Sequence, residues 1–251
     1  MRISVITVSF NSAATIVDTV ESVLGQTGVN LEYIVMDGGS TDATLEKLAP
    51  YREEIDILVS EADAGMYDAM NKGIARASGE VVAILNSDDV YADAKVLARV
   101  AEQFYEAKVD CVYGDLHYVS EDLSRVVRDW QSGDYAPGRF RRGWHPPHPS
   151  FFVRRELYKK FGDFRTELRI AADYEFMLRV LHKHQCPVSY LPEVLVKMRT
   201  GGASNRSALN VLKANQECYQ AWRMNGYGAI AAGSAVLRKP FSKLKQLRRR
   251  G

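Results

Sequence analysis

The amino-acid sequence predicts an α/β fold in which helices flank a mostly parallel sheet. Within residues 1–107, four short runs of β-forming residues are each followed by a segment whose apolar residues have helical spacing. The first run, RISVITVSF at residues 2–10, is β-rich along its whole length, which is typical of a strand buried on both faces. Strands and helices that alternate in this way form right-handed βαβ units.

These strand–helix pairs follow one another without a linker. The first helix is expected to be capped by Asn11 or Ser12, and the second to begin near Ser40 or Thr41. The remaining strands of this half are expected at residues 31–36, 56–60 and 81–85, and the remaining helices at residues 66–78 and 94–107.

The regular alternation ends near residue 110. A hairpin or two edge strands are expected within residues 111–133, and a loop rich in proline, glycine, arginine and aromatic residues within 135–150. A short strand and helix, a further helix and a last strand pair are expected at residues 150–162, 171–184 and 188–199. The sequence contains no internal repeat or low-complexity linker, so residues 1–225 are interpreted as one domain, followed by a tail at 226–251.

The composition indicates a soluble globular protein. Of the 251 residues, 46% are hydrophobic and 25% are charged, and no apolar stretch approaches the ~20 residues that cross a bilayer. The Met-Arg start leads directly into the first strand, so no secretory signal is expected. The three cysteines are far apart in sequence, which argues against a zinc site or a disulfide framework and fits a reducing cytoplasm.

The positive charge is concentrated at the C-terminal end. Seven cations and no acid follow residue 228, and without them the net charge of +2 becomes −5. Leu237, Phe241, Leu244 and Leu247 form one apolar stripe among these cations, so the tail is interpreted as a basic helix on an anionic membrane surface. A frayed, solubilising end is the alternative. Nucleic-acid binding is not expected, because the basic stretch at residues 237–251 offers only Phe241 for stacking.

Acidic residues follow three of the four predicted strands. They are Asp37, then Glu61 and Asp63, then Asp88 and Asp89. Ligands of a parallel sheet bind at the carboxyl ends of its strands, and so many acids would repel a phosphate held by backbone amides alone. The sequence also lacks both glycine-rich nucleotide fingerprints, GxGxxG and GxxxxGK[ST]. We therefore expect a divalent cation to bind there together with a diphosphate.

Four segments of the sequence form a recognisable set: ITVSFNS, VMDGGSTDAT, MNKGIARASGEVVAILNSDD and AADYEFMLR. Together they resemble glycosyltransferase family two, the inverting sugar transferases with the GT-A fold, and the match spans about Ile3 to Arg179 in the family's order. SEADAGMYDAMNKGI and HPSFFVRREL further resemble the bacterial branch that assembles exopolysaccharide, capsule or lipopolysaccharide. The resemblance implies transfer of a sugar, with inversion, from a nucleotide-diphosphate sugar to a hydroxyl; a UDP-sugar is favoured.

The resemblance also implies roles for the strand-end residues. Asp37 resembles the aspartate that binds the nucleobase, although a turn-forming role is the alternative. NSDD resembles the family's Asp-x-Asp metal motif, with Asn86 in the first position and available to a ribose hydroxyl. Asp88 is then the expected ligand of Mg²⁺ or Mn²⁺, and Asp89 a second ligand or a neighbour that orients the substrate. A helix cap would explain one of these two acids.

Asp173 resembles the catalytic base of the family. The family usually has a glutamate before this aspartate, and this chain has Ala172 instead, so an assisting acid is missing and Glu175 is an uncertain substitute. The alternative for Asp173 is an acid that complements a helix dipole.

Further residues are assigned from their position near the same edge. His148, or else His145, is expected to complete the metal shell, and Arg142, with Arg139 and Arg141, to contact an anionic acceptor or the pyrophosphate. Ser9, at the end of the first strand, and Asp68 are expected to contact the donor. Asp68 could instead form a surface ion pair with Lys72, four residues later.

Two other functions remain open from the sequence. A nucleotidyltransferase would make sugar nucleotides rather than use them, but it would need a glycine-rich basic loop that SFNSAATI lacks. A non-catalytic nucleotide-sugar-binding module is conceivable because of Asn86 and Ala172. The favoured function is sugar transfer to a glycan or a lipid-linked acceptor in cell-surface polysaccharide synthesis, on the cytoplasmic face of the plasma membrane.

Overall fold

The computed structural model describes residues 1–200 and 208–247, without the side chains of residues 208, 209 and 240–247. The strands are Arg2–Ser9 (β1), Asn30–Asp37 (β2), Ile57–Ser60 (β3), Val81–Ile84 (β4), Asp89–Tyr91 (β5), Cys111–Val119 (β6), Val126–Trp130 (β7), Phe151–Arg154 (β8) and Val188–Arg199 (β9). The α-helices are Ile16–Leu24 (α1), Thr44–Leu48 (α2), Met66–Arg76 (α3), Val96–Ala107 (α4), Glu156–Phe161 (α5), Ala172–Met177 (α6), Ala208–Met224 (α7) and Ala229–Leu247 (α8). The helix α6 continues as a π-helix over Leu178–Lys183.

The nine strands of the described residues belong to one sheet, which confirms the α/β prediction. Its order is β3-β2-β1-β4-β8-β6-β9-β5, and β7 pairs with β6. The first four strands are parallel, as predicted, and β6 is also parallel to β9. The pairings of β8 with β4 and β6, of β5 with β9, and of β6 with β7 are antiparallel. The sheet is therefore mixed, with a small antiparallel part beside the parallel strands, in agreement with the predicted fold class.

The core lies on both faces of this sheet. Ile6, Ile34 and Ile84 face a layer that contains α3, α6 and the π-helix. Val5, which precedes Ile6, and Val35, which follows Ile34, face the opposite layer of α1 and α4. Successive side chains of a strand point to opposite faces, so a strand covered on both sides must be apolar at nearly every position. This explains the mainly apolar, β-rich runs of the sequence.

A glycine allows α3 to lie directly on β1. A Cβ at Gly73 would stand 2.5 Å from Ile6 Cγ2 and 3.3 Å from Met36 Cγ, well inside normal contact distance. This close approach fixes the height of α3 above the strands, and with it the position of the first turn of the helix at the sheet edge.

Residues 188–199 form one strand rather than the predicted pair. β9 pairs with β6 along its length, but the register shifts between Tyr113, which pairs with Tyr190, and Asp115, which pairs with Val194. Pro192 lies in this irregular stretch, where a ladder hydrogen bond is not required of it. In the sequence this proline indicated the end of a strand. In the structure it lies in a β-bulge, and the strand continues past it.

Three helices begin later than the sequence suggests. The helix α1 begins at Ile16 and α2 at Thr44, because the preceding residues form loops at the sheet edge. The strand β5 begins at Asp89, and α4 does not begin until Val96, so neither acid of the NSDD segment caps that helix.

The C-terminal helix α8 lies against the body of the protein along its first half. Ala232 and Ala235 are fully buried, whereas 90% of Ile230 and 73% of Leu237 are exposed. The backbone of α8 at Arg238 is so close to Gly143 that a Cβ on Gly143 would stand 2.6 Å away. Across the part of the chain that the structure describes, no helix has both the length and the hydropathy of a membrane span.

Candidate active site

The carboxyl ends of β1, β2, β3 and β4 meet at one edge of the sheet. Ser9 pairs with Asp37, and Asp37 pairs with Ser60, so the last residues of three strands are neighbours. The strand β4 adds Asn86 and the two acids after it, because its register aligns Ile84 with Ile6 of β1. The parallel register therefore collects strand ends that are far apart in sequence.

The carboxylate of Asp37 organises this edge. Its Oδ1 accepts hydrogen bonds from the hydroxyls of Ser9 (3.1 Å) and Ser40. Its Oδ2 accepts hydrogen bonds from the Gly39 N–H (3.1 Å), the Ser40 N–H (2.9 Å) and the Ser60 hydroxyl (2.7 Å). Burial by itself would raise the pKa of Asp37, but these donors favour the charged form and hold the pKa below its usual value. Both oxygens thus serve the loop, and the nucleobase contact of Asp37 and the substrate contact of Ser9 stay predictions.

The loop after β1 is joined to the loop after β2 by Asn11. Asn11 has a left-handed backbone (φ 50°), a conformation that asparagine tolerates better than most residues. Its Oδ1 accepts hydrogen bonds from the N–H groups of Thr41 (2.9 Å) and Asp42 (3.3 Å), and its own N–H donates to the Ser40 hydroxyl (2.8 Å). The sequence suggested Asn11 only as a helix cap.

Thr19 of α1 and Thr15, the residue before this helix, hold the turn after β4. The hydroxyl of Thr15 donates to the Ser87 carbonyl (2.8 Å), and the hydroxyl of Thr19 donates to the Asp89 carbonyl (2.8 Å). These two bonds fix the backbone on both sides of Asp88 without using any acidic side chain.

Asp89 is buried and lies beside a second acid. Only 1% of Asp89 is exposed, and burial, followed by the negative charge of Asp88, raises its pKa well above the usual value. Its Oδ2 accepts one hydrogen bond, from Asn86 Nδ2 (3.2 Å). The atoms Asn86 Oδ1 and Asp89 Oδ1 are buried and receive no hydrogen bond from the residues that the structure describes.

Arg199 supplies positive charge next to these acids. The guanidinium donates to the Asp88 carbonyl (2.8 Å) and the Glu121 carbonyl (2.7 Å) and forms an ion pair with Asp18. Its charge partly offsets the rise in the pKa of Asp89. Sequence reasoning missed Arg199, which lies at the end of β9, more than 100 residues from the turn that it stabilises.

The residues at this turn fit a cation held partly by its substrate. Within residues 1–200 and 208–247, no three His, Cys, Asp or Glu side chains form a group that could hold a metal by themselves. Mg²⁺ is commonly bound through one or two carboxylates together with substrate phosphates and water. The Asp88 carboxylate and the two unsatisfied oxygens provide hard donors of that kind. Asp88 as the metal ligand stays a prediction.

His148 lies near the predicted base. It is half-buried, packs edge-on against Phe164 (ring centroids 5.6 Å apart), and its pKa is lowered by burial and partly restored by the negative charge of Asp173. His145 contacts the rings of Trp130 and Tyr174 edge-on. A metal contact of either histidine stays a prediction.

Asp173 lies in the first turn of α6. The Tyr67 hydroxyl of α3 lies 3.0 Å from Asp173 Oδ1. Ala172, where the family has an acid, is fully buried in the core. Glu175 does not substitute for that acid: it is fully buried and bound to Arg179 (2.9 Å) and Asn225 (2.9 Å).

The other predicted contacts are Asp68, in the first turn of α3, and Arg142, at the end of a short 3-10 helix. Arg142 is exposed, and the Arg139 guanidinium lies over the Trp144 ring at 4.6 Å. Asp68 accepts a hydrogen bond from the Ala64 N–H (3.0 Å) and pairs with Lys72 (3.3 Å), as its alternative interpretation expects. The donor contacts of Arg142 and Asp68 stay predictions.

Comparison with solved structures defines the class of fold. The fold is similar to that of TarS residues 1–349 from S. aureus in complex with UDP, with a TM-score of 0.71 and 20% identity, over 100% of this chain and 74% of that chain. It is also similar to the mannosyltransferase PcManGT from Pyrobaculum calidifontis in complex with GDP-Man and Mn²⁺, with a TM-score of 0.67 and 19% identity, over 96% of this chain and 73% of that chain. The protein has the GT-A-like fold of nucleotide-sugar-binding glycosyltransferases.

Sequence comparison then gives the family. The model of Glycosyl transferase family 2 matches residues 4–166. A PGL/p-HBAD biosynthesis glycosyltransferase of Mycobacterium tuberculosis is 32% identical over 207 residues, which cover 80% of this chain and 78% of the relative. The chain belongs to glycosyl transferase family 2, which confirms the resemblance found in its motifs.

The hydrogen bonds around Asp37 predict a specific pH dependence of stability. Because its pKa is lowered in the folded state, Asp37 contributes stability that is fully present above the unfolded value of about 3.9 and is lost as the pH falls through the folded value. Asp37→Asn should cost roughly 1–3 kcal/mol at neutral pH, since an amide accepts through one oxygen only. Urea unfolding of both proteins at pH 7, 5 and 3 should show the difference narrowing below pH ~4.

Ser60→Ala is the matched control for this experiment. It removes one of the five donors and keeps the carboxylate, so its effect at pH 7 should be smaller than that of Asp37→Asn. A difference between wild type and Asp37→Asn that is the same at pH 7 and pH 3 would contradict the prediction.

Proposed function

We propose that this family 2 member transfers a sugar from a UDP-sugar to a hydroxyl with inversion, in a reaction that depends on Mg²⁺ or Mn²⁺. The observation that carries the proposal is the shared sheet edge, where the NSDD turn follows β4 beside the Asp37 loop. The GT-A-like neighbours support a nucleotide donor, since their structures hold UDP, UDP-GlcNAc, or GDP-Man with Mn²⁺. The carboxylate of Asp37 suits a ring N–H donor, as in uracil, and a UDP-sugar is the donor that we favour.

Each group in the proposed site has a separate task. Asp88 would hold the cation, which would offset negative charge on the leaving diphosphate. Asp173 accepts the proton of the acceptor hydroxyl as its oxygen bonds to the anomeric carbon and the bond to the diphosphate breaks. Attack opposite the leaving group in one displacement inverts the anomeric centre. The products are the glycosylated acceptor and UDP, and the proton resides on Asp173.

The acceptor is proposed to be a glycan or a lipid-linked molecule of a cell-surface polysaccharide pathway. The mycobacterial relative is named for PGL/p-HBAD biosynthesis, which supports sugar transfer within a biosynthetic pathway for this family member. The exposed part of α8 supports the membrane location of such an acceptor. Ile230 and Leu237 face outward seven residues apart, while Ala232 and Ala235 face the protein. We place the enzyme in the cytoplasm, on the inner face of the plasma membrane.

Donor use and metal dependence are tested together. Wild type, incubated with a panel of UDP- and GDP-sugars and Mn²⁺, should release nucleoside diphosphate from one donor, and EDTA should stop the release. Asp88→Asn should weaken Mn²⁺-dependent binding of UDP at least tenfold by calorimetry, because a charged ligand of the cation is lost. If the donor sugar is α-linked to the diphosphate, inversion gives a product with the β configuration. NMR of the released sugar should therefore detect the β anomer before the α anomer.

Asp93→Asn is the matched control. Asp93 follows Asp88 by five residues and forms an ion pair with Arg99 on the surface. It should bind UDP as wild type does. Metal-dependent binding without turnover of any donor would favour the non-catalytic module, and pyrophosphate release from a nucleoside triphosphate and a sugar phosphate would favour the nucleotidyltransferase.

Asp173→Asn should separate chemistry from binding. Loss of a positioned base should lower the turnover of Asp173→Asn by about 10²–10⁴-fold. The affinity of this variant for the donor should not change, because the base contacts the acceptor hydroxyl and not the donor. The measurements are the rate of UDP release and the dissociation constant of UDP. A parallel loss of rate and UDP affinity would refute the role of Asp173 as base.

Membrane association is tested with vesicles. Wild type should sediment with vesicles of phosphatidylcholine and phosphatidylserine, less with phosphatidylcholine alone, and less at high salt. Leu237→Glu should weaken this binding about tenfold or more, because it removes an exposed apolar side chain from the stripe. Leu45→Glu, a similar change at an exposed leucine of α2, is the control and should bind as wild type does. Equal binding to both vesicle types would contradict the proposal.

A further inference from the structure

The loop before α6 is held by an acid from a distant helix. Glu217 of α7 accepts three hydrogen bonds from consecutive backbone N–H groups. Its Oε1 binds the N–H of Arg169 (3.0 Å), and its Oε2 binds those of Ile170 (2.7 Å) and Ala171 (2.8 Å). A carboxylate that accepts several N–H groups forms strong, charge-assisted bonds. Glu217 therefore fixes the backbone two residues before Asp173.

Tyr67 holds the same segment from the other side. Its hydroxyl lies 2.9 Å from the Ile170 carbonyl and 3.0 Å from Asp173 Oδ1, and only 4% of the residue is exposed. Burial and the negative charge of Asp173 raise the pKa of Tyr67 well above its usual value, with a smaller contribution from Glu217. The phenol thus keeps its proton and remains a donor. Its position follows from the close packing of α3 on β1 at Gly73.

The two oxygens of Asp173 have different surroundings. Oδ1 faces the Tyr67 hydroxyl, whereas Oδ2 receives no hydrogen bond from the residues that the structure describes. A carboxylate held through one oxygen presents the other in a defined direction, which is what a general base needs in order to accept a proton. His148 and Cys218 also interact electrostatically with Asp173, and Lys239 donates to the Cys218 sulfur (2.8 Å).

We propose that Tyr67 and Glu217 are positioning residues that aim Oδ2 of Asp173 at the acceptor hydroxyl. The inference rests on the proposed function, because it assumes that Asp173 is the base. Tyr67 contacts the Asp173 carboxylate from α3. Ala172, which precedes Asp173 in the chain, has no polar side chain that could make such a contact. Positioning through a hydrogen bond affects the rate of the chemical step and leaves the affinity for the nucleotide unchanged.

The test compares Tyr67→Phe and Glu217→Gln with a matched control. Tyr135→Phe is that control, since the Tyr135 hydroxyl donates to a backbone carbonyl, that of Leu181 (2.8 Å), and to no carboxylate. For each variant we would measure kcat and KM for donor turnover as UDP release, the dissociation constant of UDP, and the thermal midpoint. Tyr67→Phe and Glu217→Gln should each lower kcat about tenfold with KM and UDP affinity unchanged, as expected when only a transition-state contact is lost. Tyr135→Phe should keep the wild-type kcat.

A double-mutant cycle separates positioning from a general loss of structure. In the Asp173→Asn background, Tyr67→Phe should lower the remaining rate by less than about twofold, because it acts through the carboxylate that is already gone. A further tenfold loss there, an unchanged kcat in the single variants, or a parallel loss of UDP affinity would overturn the inference. If Tyr67→Phe does not fold, Glu217→Gln gives the same decision from the other side of the loop.

Failure of this inference differs from failure of the proposed function. A wild-type protein that releases UDP from no donor, or an Asp173→Asn protein with wild-type turnover, defeats the proposed function and the inference with it. Wild-type turnover that depends on Asp173 but is unaffected by Tyr67→Phe and Glu217→Gln defeats the inference alone.

Discussion

The site depends on one constraint: each carboxylate that the chain buries must receive a compensating partner. An isolated buried charge is costly, so an acid must be hydrogen-bonded, paired or protonated. Asp37 is surrounded by five donors, and Glu175 is bound to Arg179 and Asn225. Glu217 binds three backbone amides. Among the residues that the structure describes, one side chain donates to Asp89, and the pKa of Asp89 is raised, so this acid is less compensated than Asp37.

The first half of the fold could be predicted because its signals are local. The apolar runs of β1 to β4 and the helical spacing between them lie within the first 107 residues, and the parallel register then brings the acids to one edge. The start of each helix was less predictable. Asn11, Ser12, Ser40 and Thr41 are good caps by type, but the loops at the edge use several of these residues for contacts between strands.

The partners that complete the site could not be predicted, because they come from distant parts of the chain. Arg199 reaches the turn after β4 from the last strand, and Glu217 reaches the loop before α6 from α7. Neither residue belongs to a motif, and an isolated Arg or Glu in a sequence gives no signal of its partner. Only the path of the sheet, with β9 beside β6 and next to β5, explains the position of Arg199. The bulge at Pro192 could not be predicted for the same reason, because it is defined by the pairing of β9 with β6, a strand that is distant in sequence.

The contact of Glu217 with residues 169–171 also sets an order of assembly. Protein synthesis proceeds from the N-terminus, and domains begin to fold as they leave the ribosome. The strands that carry Asp37 and the NSDD turn are complete long before residue 217 is made, whereas the loop that leads to Asp173 lacks its anchor until α7 has emerged. A nascent chain can thus contain the strands of this edge before residue 217 is made, and the segment that leads to Asp173, the proposed base, gains its anchor only afterwards.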